Sequence, residues 1–233
     1  LFACFLYGGM IIFEENCLSL MSTDKSLANE QMQAKGRPLQ KMFDRVPSRY
    51  DFLNRLLTFR LDEYWRGRAV RRIMDEKPGR VMDLGTGTGD MAVRIARKSP
   101  SVQVTGYDFS APMLEVARRK AGRRQLDNVH FVEGDAASMP FEDNSFDVVG
   151  ISFAFRNITF KNPYTGQYLK ETLRCLKPGG KFVIVETSQP RNPLVRKVFH
   201  AYFHYVVPGL GGRLSGARGA YHYLAYSARH FYT

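Results

Sequence analysis

The chain has 233 residues, enough for one domain with a sizeable core, and its 44% hydrophobic and 24% charged residues exclude a disordered or low-complexity protein. Its formal net charge of +12 suits a nucleic acid or an anionic lipid surface as partner, and charge alone does not choose between them. The three cysteines have no paired spacing, which excludes a disulfide framework, so we expect a cytoplasmic location and no metal.

We divide the chain into three segments: a poorly defined leader at 1–35, a helical lid at 36–75 and a catalytic domain at 76–233. The leader opens with a mostly apolar stretch, Leu1 to Phe13, that lacks the basic region and the initial methionine of a signal peptide. A mis-assigned start, with Met10 or Met21 as the true first residue, is the simpler interpretation. No stretch of the sequence is long enough to span a bilayer.

Gln40 to Ile73 has a helical pattern, and its aromatic residues are expected to pack over a sheet. From Arg80 onward, apolar runs alternate with helical patterns, which is typical of a mostly parallel sheet. The predicted strands are Arg80 to Leu84, Val102 to Tyr107, Val129 to Glu133, Phe146 to Ser152 and Lys181 to Glu186. The predicted helices between them are Asp90 to Lys98, Ala111 to Ala121 and Tyr168 to Leu176, the last ended by Lys177-Pro178-Gly179-Gly180.

The strongest functional signal is a glycine-rich turn between the first strand and its helix, Asp83-Leu84-Gly85-Thr86-Gly87-Thr88-Gly89-Asp90. Gly85, Gly87 and Gly89 let the backbone approach a ligand, and the helix offers free N–H groups to a ligand carboxylate. Dinucleotide enzymes use a similar loop in the same setting. Here, however, the spacing is G-x-G-x-G, and Asp83 would meet an ammonium group but repel a pyrophosphate.

Two further strand ends carry carboxylates at the same predicted edge. Asp108 ends the second strand, about twenty residues past the loop, where a carboxylate can accept hydrogen bonds from both ribose hydroxyls. The third strand ends in Gly134-Asp135-Ala136, where Asp135 could accept a hydrogen bond from an adenine amino group. Each aspartate alone is equally well explained as a capping or turn residue. The three together indicate a pocket for adenosine joined to an amino acid, as in S-adenosylmethionine.

Three sequence blocks resemble the UbiE/MenG family of quinone C-methyltransferases. They are Tyr50-Asp51-Phe52-Leu53-Asn54 running to Trp65, Ile151-Ser152-Phe153-Ala154-Phe155-Arg156-Asn157-Ile158, and Arg174 to Gly180 followed by Val185-Glu186-Thr187-Ser188. The likeness covers roughly Met42 to Ala225. It implies a class I methyltransferase fold, which is a Rossmann-like, doubly wound α/β sheet, and S-adenosylmethionine as the cofactor. The family continues after Ala225 through a helix and a β-hairpin, so we expect this sheet to lack its last strands.

The resemblance also implies roles for single residues. The expected cofactor contacts are Thr88, Asp108, Asp135, Ala136 and Ser152, beside Asp83 and the loop glycines, and the expected substrate contacts are Tyr50, Arg156 and Asn157. The implied substrate is demethylmenaquinol or a related prenylated quinol. The sequence departs from the family pattern at Asp62, where a histidine is usual, and at Ala154, where glycine is common.

Ring methylation needs electron density on the ring carbon, which a deprotonated hydroquinone supplies and a quinone does not. Arg156 is expected to stabilise the phenolate as a fixed positive charge, with water as proton acceptor, because a guanidinium is not deprotonated in proteins. Tyr50 and Asn157 would orient the hydroxyl and that water. Without the resemblance, an ordinary surface ion pair is the better explanation of Arg156.

Leu194 to Pro208 is an apolar, aromatic stretch flanked by Arg191, Arg196, Lys197 and Arg213. A helix of this composition could admit an isoprenoid tail at an anionic membrane surface, and a core helix packed on the sheet explains it equally well. His200 and His204 have the spacing of a metal pair, but no carboxylate lies near them on that helix, so we interpret them as structural.

Two other functions fit the same residues. One is a methyltransferase that acts on another small molecule or on RNA, although no recognised RNA-binding motif supports it and we expect no nucleic-acid partner. The other is a non-catalytic scaffold with a methyltransferase fold, against which the intact cofactor loop argues. The sequence leaves open whether the protein forms a homo-oligomer.

Overall fold

The computed structural model describes residues 47–215 and 218–231, with side chains from Asp51 onward. The predicted leader and the beginning of the predicted lid helix lie outside these residues. The helices are α1 (Pro47–Leu57), α2 (Leu61–Asp75), α3 (Asp90–Lys98), α4 (Ala111–Gly122), α5 (Phe155–Thr159), α6 (Thr165–Cys175), α7 (Pro193–Ala201), a π-helical segment (Tyr202–Gly211), α8 (Gly212–Ser215) and α9 (Arg218–His230). The strands are β1 (Arg80–Leu84), β2 (Gln103–Asp108), β3 (Val129–Glu133), β4 (Phe146–Ser152) and β5 (Leu176–Val185).

The five strands form one parallel sheet in the order β3-β2-β1-β4-β5. The order reverses direction at β1, so the chain winds outward on both sides of this strand. In the register, Asp83 of β1 lies beside Gly106 of β2 and Gly150 of β4. The carboxyl ends of the three central strands therefore meet at one edge, where open parallel sheets bind their ligands.

Alternate side chains of the strands build separate cores on the two faces of the sheet. Val81, Val104 and Val148 point to the face covered by α2 and α3, while Met82 and Val149 point to the face covered by α6. This alternation follows from the two-residue period of a strand. The doubly wound, Rossmann-like α/β class predicted from the sequence is confirmed.

A third apolar cluster lies outside the sheet and joins four helical elements. It packs α1, α7, the π-helical segment and α9 together, through Leu53, Leu57, Phe199, Phe203 and Tyr221 among others. Tyr202 adds a hydrogen bond of 2.5 Å from its hydroxyl to the carbonyl of Leu57 at the end of α1. We call α1, the π-helical segment and α9 the helical cover.

Most predicted strands and helices agree with the structure to within one residue, and three predictions need correction. The helical pattern from Gln40 to Ile73 is not continuous, because Phe59 and Arg60 have left-handed φ values of 51° and 61° and separate α1 from α2. Helix α6 begins at Thr165, not at Tyr168. The third correction concerns β5.

The predicted breaker Lys177-Pro178-Gly179-Gly180 lies inside β5. The strand pairs with β4 at Phe146↔Leu176 and again at Val148↔Lys181, so two steps along β4 match five along β5. The extra residues form a bulge, a position that tolerates proline and the left-handed Gly179 (φ 78°). Lys177 holds the bulge in place through an ion pair of 2.7 Å between its Nζ and Asp147 Oδ1.

Candidate functional site

The glycine-rich turn after β1 lines a cavity at the carboxyl edge of the sheet. Gly85, Gly87 and Gly89 all have left-handed backbones, with φ values of 64°, 54° and 77°. A Cβ on Gly85 would lie 2.8 Å from the Cβ of Ala154, and one on Gly89 would lie 2.7 Å from the Cβ of Ala117. Glycine is therefore required at both positions, and Ala154, where the family pattern has glycine, tightens the contact at Gly85.

Asp83 is buried at the end of β1 and faces this cavity. Its Oδ2 accepts hydrogen bonds from the Thr86 hydroxyl at 2.7 Å and from the Ala92 amide at 2.9 Å. Its Oδ1 has no hydrogen-bond partner among the described residues. Burial raises the pKa of Asp83 to about 7, against the opposing effects of these two hydrogen bonds and of the Arg66 guanidinium. An acceptor left free beside a glycine turn suits an ammonium-bearing ligand.

Asp108 lies at the end of β2 and is also buried. Its Oδ2 accepts a hydrogen bond from the Gly87 amide at 2.8 Å, and its Oδ1 accepts one from the Ser110 amide at 3.0 Å. These bonds fix the carboxylate at the cavity wall, where both Asp108 and Gly87 lie. The position allows the predicted contact with a ribose.

The third predicted acidic residue is placed differently. Asp135 is exposed, and its Oδ1 accepts a hydrogen bond from the Ala137 amide at 2.9 Å, so the carboxylate stabilises a turn. Its neighbours Gly134 and Ala136 line the cavity. The structure therefore places the Gly134–Ala136 backbone at the wall and the Asp135 carboxylate at the rim.

The far side of the same cavity is apolar and belongs largely to the helical cover. Its wall includes Leu57, Ile158, Tyr202, Phe203, Val207 and Leu224. Burial raises the pKa of Tyr202 to about 12, so this phenol stays neutral at ordinary pH. One cavity thus joins a polar end at the sheet to an apolar end under the helices.

Arg156 lies in the wall of this cavity and is only 3% exposed. Its Nη1 donates to Glu186 Oε1 at 2.7 Å, its backbone amide donates to Glu186 Oε2 at 2.9 Å, and its Nε donates to the Ser227 hydroxyl at 2.9 Å. The ion pair is therefore buried, and the alternative of an ordinary surface ion pair is wrong. These bonds use Nε and Nη1 and hold the guanidinium in place, and no hydrogen bond of Nη2 is found among residues 47–215 and 218–231.

Three of the remaining predicted residues line the same cavity, and the fourth is Tyr50. Ser152, Thr88 and Asn157 line the cavity, and the Thr88 hydroxyl donates to Asp51 Oδ1 at 2.6 Å. Tyr50 belongs to α1, but its side chain lies outside the described part of the chain.

Sequence reasoning missed a network of charges that ties α1 and α2 to the cofactor loop. Lys120 on α4 contacts Asp51 Oδ2 and Asp90 Oδ1, both at 2.5 Å, and Arg66 on α2 lies 3.3 Å from Asp62 and 3.5 Å from Asp90. Asp62, Arg66 and Asp90 all line the cavity. The only local signal is the i,i+4 spacing of Asp62 and Arg66, which also explains the departure at Asp62: its carboxylate pairs with Arg66.

The two histidines of the apolar stretch have protein partners. His200 Nε2 lies 2.8 Å from Gln189 Oε1, and His204 Nδ1 lies 3.0 Å from an Arg229 nitrogen. Within residues 47–215 and 218–231, no group of three or more metal-ligating side chains is found. No helix in that part of the chain is both long enough and apolar enough to cross a bilayer.

Comparisons with known proteins agree with this geometry. The model of the ubiE/COQ5 methyltransferase family matches residues 30–233. The demethylmenaquinone methyltransferase of Deinococcus radiodurans is 43% identical over 199 residues, covering 85% of this chain and 80% of the relative. The enzyme of the same name from Thermus thermophilus is 45% identical over 190 residues, covering 82% of this chain and 84% of the relative.

Among solved structures, the [4+2]-cyclase SpnF superposes with a TM-score of 0.50 at 22% identity, covering 69% of this chain and 75% of SpnF. This likeness shows the fold alone. The relatives and the family model favour an enzyme over a non-catalytic scaffold, and the free acceptor of Asp83 beside the glycine turn fits the amino-acid part of S-adenosylmethionine. The chain belongs to the ubiE/COQ5 methyltransferase family and is an enzyme that uses S-adenosylmethionine as its methyl donor.

Proposed function

We propose that this enzyme methylates a ring carbon of demethylmenaquinol and so forms menaquinol, the last step of menaquinone biosynthesis. The observation that carries the proposal is the single cavity that joins the glycine turn to Arg156, Asn157 and the apolar cover. A ring that carries an isoprenoid tail needs such a cavity, polar where the methyl group arrives and apolar where the tail lies. The names of the two relatives support the same substrate class.

We further propose how the chain's own residues hold the cofactor. Asp83 would accept a hydrogen bond from the ammonium group, and Asp108 would accept hydrogen bonds from the ribose hydroxyls. The backbones of Gly85, Gly87 and Gly89 would pack against the ligand. Thr88, Ala136 and Ser152 would complete the contact surface. Asp135 would reach the adenine amino group only from the rim, because its carboxylate is exposed and bonded to the Ala137 amide.

S-adenosylmethionine supplies an electrophilic methyl group when it is bound. The protein's task is then to hold the ring in line with that group and to stabilise the reacting form of the quinol. Arg156 would do so with Nη2, because Glu186 and Ser227 already hold Nη1 and Nε in a buried site where a charge interacts strongly with a phenolate. Asn157, together with Tyr50, would orient the hydroxyl and the water that accepts the ring proton.

The apolar cover also suggests how the protein meets its lipid-soluble substrate. Exposed apolar residues recur at helical spacing from α7 to α8: Leu194, Val198, Tyr205, Val206, Leu210 and Leu214. Exposed Arg191, Lys197 and Arg213 flank them. We propose that this surface makes peripheral contact with anionic lipid at the cytoplasmic face of the membrane, beside the apolar end of the cavity.

The test is an anaerobic assay with the purified enzyme, S-adenosylmethionine and chemically reduced demethylmenaquinol, read by the mass of the extracted quinone. The expected result is a gain of one methyl group. A reaction mixture with S-adenosylhomocysteine in place of the methyl donor serves as the control. An enzyme that binds S-adenosylhomocysteine but adds no methyl group when S-adenosylmethionine is supplied would contradict the proposed substrate and leave the cofactor assignment in place.

A further inference from the structure

We propose that Arg66, supplied by α2, binds the carboxylate of the cofactor's methionine part, while Asp83, at the end of β1 in the same cavity, accepts a hydrogen bond from its ammonium. The two side chains would together recognise an amino acid in its zwitterionic form. This inference concerns the cofactor and not the quinol, so it stands or falls independently of the proposed substrate.

Arg66 is a charged side chain placed inside the cavity. Its side chain is 11% exposed, its Nε donates to the Ser152 hydroxyl at 3.3 Å, and its guanidinium lies 5.5 Å from the centre of the Phe153 ring. Ser152 and Phe153 line the same cavity, as does Asp83. The Arg66 guanidinium is also close enough to Asp83 to lower the pKa of that carboxyl against the effect of burial.

The contacts of Arg66 with protein carboxylates are long. Its Nη1 lies 3.3 Å from Asp62 Oδ2 and 3.5 Å from Asp90 Oδ2, whereas charge-assisted hydrogen bonds are usually about 2.7–2.9 Å long. The Arg156–Glu186 pair, at 2.7 Å, reaches that length. Within the described part of the chain, the hydrogen bonds and ion pairs of Arg66 use Nε and Nη1. The guanidinium therefore keeps the capacity to bind a further carboxylate.

Other groups near the loop are poorly suited to that carboxylate. The helix N-terminus predicted from the sequence to receive it carries Asp90 at its first position, and the Ala92 amide already donates to Asp83. Lys120 is engaged by Asp51 and Asp90 at 2.5 Å and by Thr88 at 3.1 Å. A second anion at this helix end would meet the Asp90 charge, whereas Arg66 offers a cation on the cavity wall.

The test compares one ligand that carries the carboxylate with two that lack it. Binding of S-adenosylhomocysteine, decarboxylated S-adenosylhomocysteine and methylthioadenosine is measured by calorimetry for the wild type, Arg66→Met and the control Arg71→Met, which alters an exposed arginine of the same helix. Because Arg66→Met removes one charged hydrogen-bonding partner, its affinity for S-adenosylhomocysteine should be about 10- to 100-fold lower than that of the wild type. The two ligands without a carboxylate should bind Arg66→Met as they bind the wild type, and Arg71→Met should bind all three normally.

An equal loss of affinity for all three ligands in Arg66→Met would overturn the proposal, because it would mean that Arg66 only supports the fold around Asp62 and Asp90. An unchanged affinity for S-adenosylhomocysteine would overturn it as well. Should Arg66→Met fail to fold, two measurements remain. The wild type must prefer the intact ligand to its decarboxylated analogue at least tenfold, and Arg66→Lys must lose part of that preference; a wild type without the preference would contradict the inference.

Discussion

The two ends of the cavity are built in different ways. At the carboxyl edge of the sheet, Asp83 and Asp108 are fixed by hydrogen bonds of 2.7–3.0 Å, from Thr86 and Gly87 of the turn and from the amides of Ala92 and Ser110. Apolar cores pack against both faces of the sheet there. At the other end, the helices of the helical cover are held together by an apolar cluster that lies outside the sheet. The comparison suggests a preformed cofactor site beside a more adaptable apolar site, as a flexible isoprenoid tail would require.

Arg156 lines the same cavity and is bonded to Ser227 of the helical cover, and its loss should have the largest effect on catalysis. Arg156→Gln removes the charge proposed to stabilise the phenolate, and we expect kcat to fall about 100- to 1,000-fold. The affinity for S-adenosylhomocysteine should stay within about twofold, because Arg156 is not assigned to the cofactor. Arg97→Gln, which alters an exposed arginine of α3, is the control. A normal kcat in Arg156→Gln would show that the proposed role is wrong.

Glu186 should matter both for stability and for the placement of Arg156. The two side chains are each 4% exposed, so Glu186→Ala leaves a buried positive charge without its partner. We expect the free energy of unfolding, measured in urea, to be about 3–5 kcal/mol lower than that of the wild type. In Glu186→Gln, which retains a hydrogen-bond acceptor, kcat should fall more than the quinol affinity changes. Both variants remove the negative charge, so Glu186→Gln should lose most of the same stability, and a Glu186→Gln variant as stable as the wild type would argue against the charge as the cause.

The cofactor end should respond to pH through Asp83. Burial raises the pKa of this carboxyl to about 7, and an ammonium ligand requires the charged form. Affinity for S-adenosylhomocysteine should therefore fall as pH drops below 7, approaching about tenfold per pH unit, and level off above it. Calorimetry from pH 5.5 to 8 measures this dependence. Methylthioadenosine, which has no ammonium, should show none, and a pH-independent affinity for S-adenosylhomocysteine would contradict the assignment.

The same shift predicts how the free enzyme responds to pH. A carboxyl whose pKa is raised by folding stabilises the protein fully below its unfolded value of 3.8, and this contribution is lost as pH rises toward about 7. Asp83→Asn should remove this part of the pH dependence of unfolding, as measured in urea at several pH values. A variant that keeps the wild-type dependence would point to another group.

The smallest effect is expected at the exposed apolar surface. Replacing Leu194 and Tyr205, 70% and 72% exposed, by aspartate should weaken binding to vesicles of anionic phospholipid several-fold. Turnover of a water-soluble quinol without a tail should be unaffected. Tyr64→Asp, at another exposed aromatic residue, is the control. Equal vesicle binding by the double variant and the wild type would contradict the proposed membrane contact.

The sequence allowed the sheet and its turn to be predicted because both depend on local patterns. Apolar runs and the G-x-G-x-G spacing place Asp83 and Asp108 at one edge without knowledge of the packing. Arg66 could not be found in this way, since its place in the cavity depends on how α2 packs against α3 and β4. The bulge in β5 was missed for a related reason: proline and glycine usually end elements, and only pairing with β4 reveals that the strand continues.

The most direct measurement of the central claim is methyl transfer to the reduced and the oxidised forms of one demethylated naphthoquinone, run in parallel under anaerobic conditions. A phenolate stabilised by Arg156 requires the quinol, so the methyl gain should appear with the reduced ring and vanish with the oxidised one. In Arg156→Gln the reduced ring should also react far more slowly. Equal methylation of both redox forms, or methylation of neither while S-adenosylhomocysteine still binds, would contradict the account.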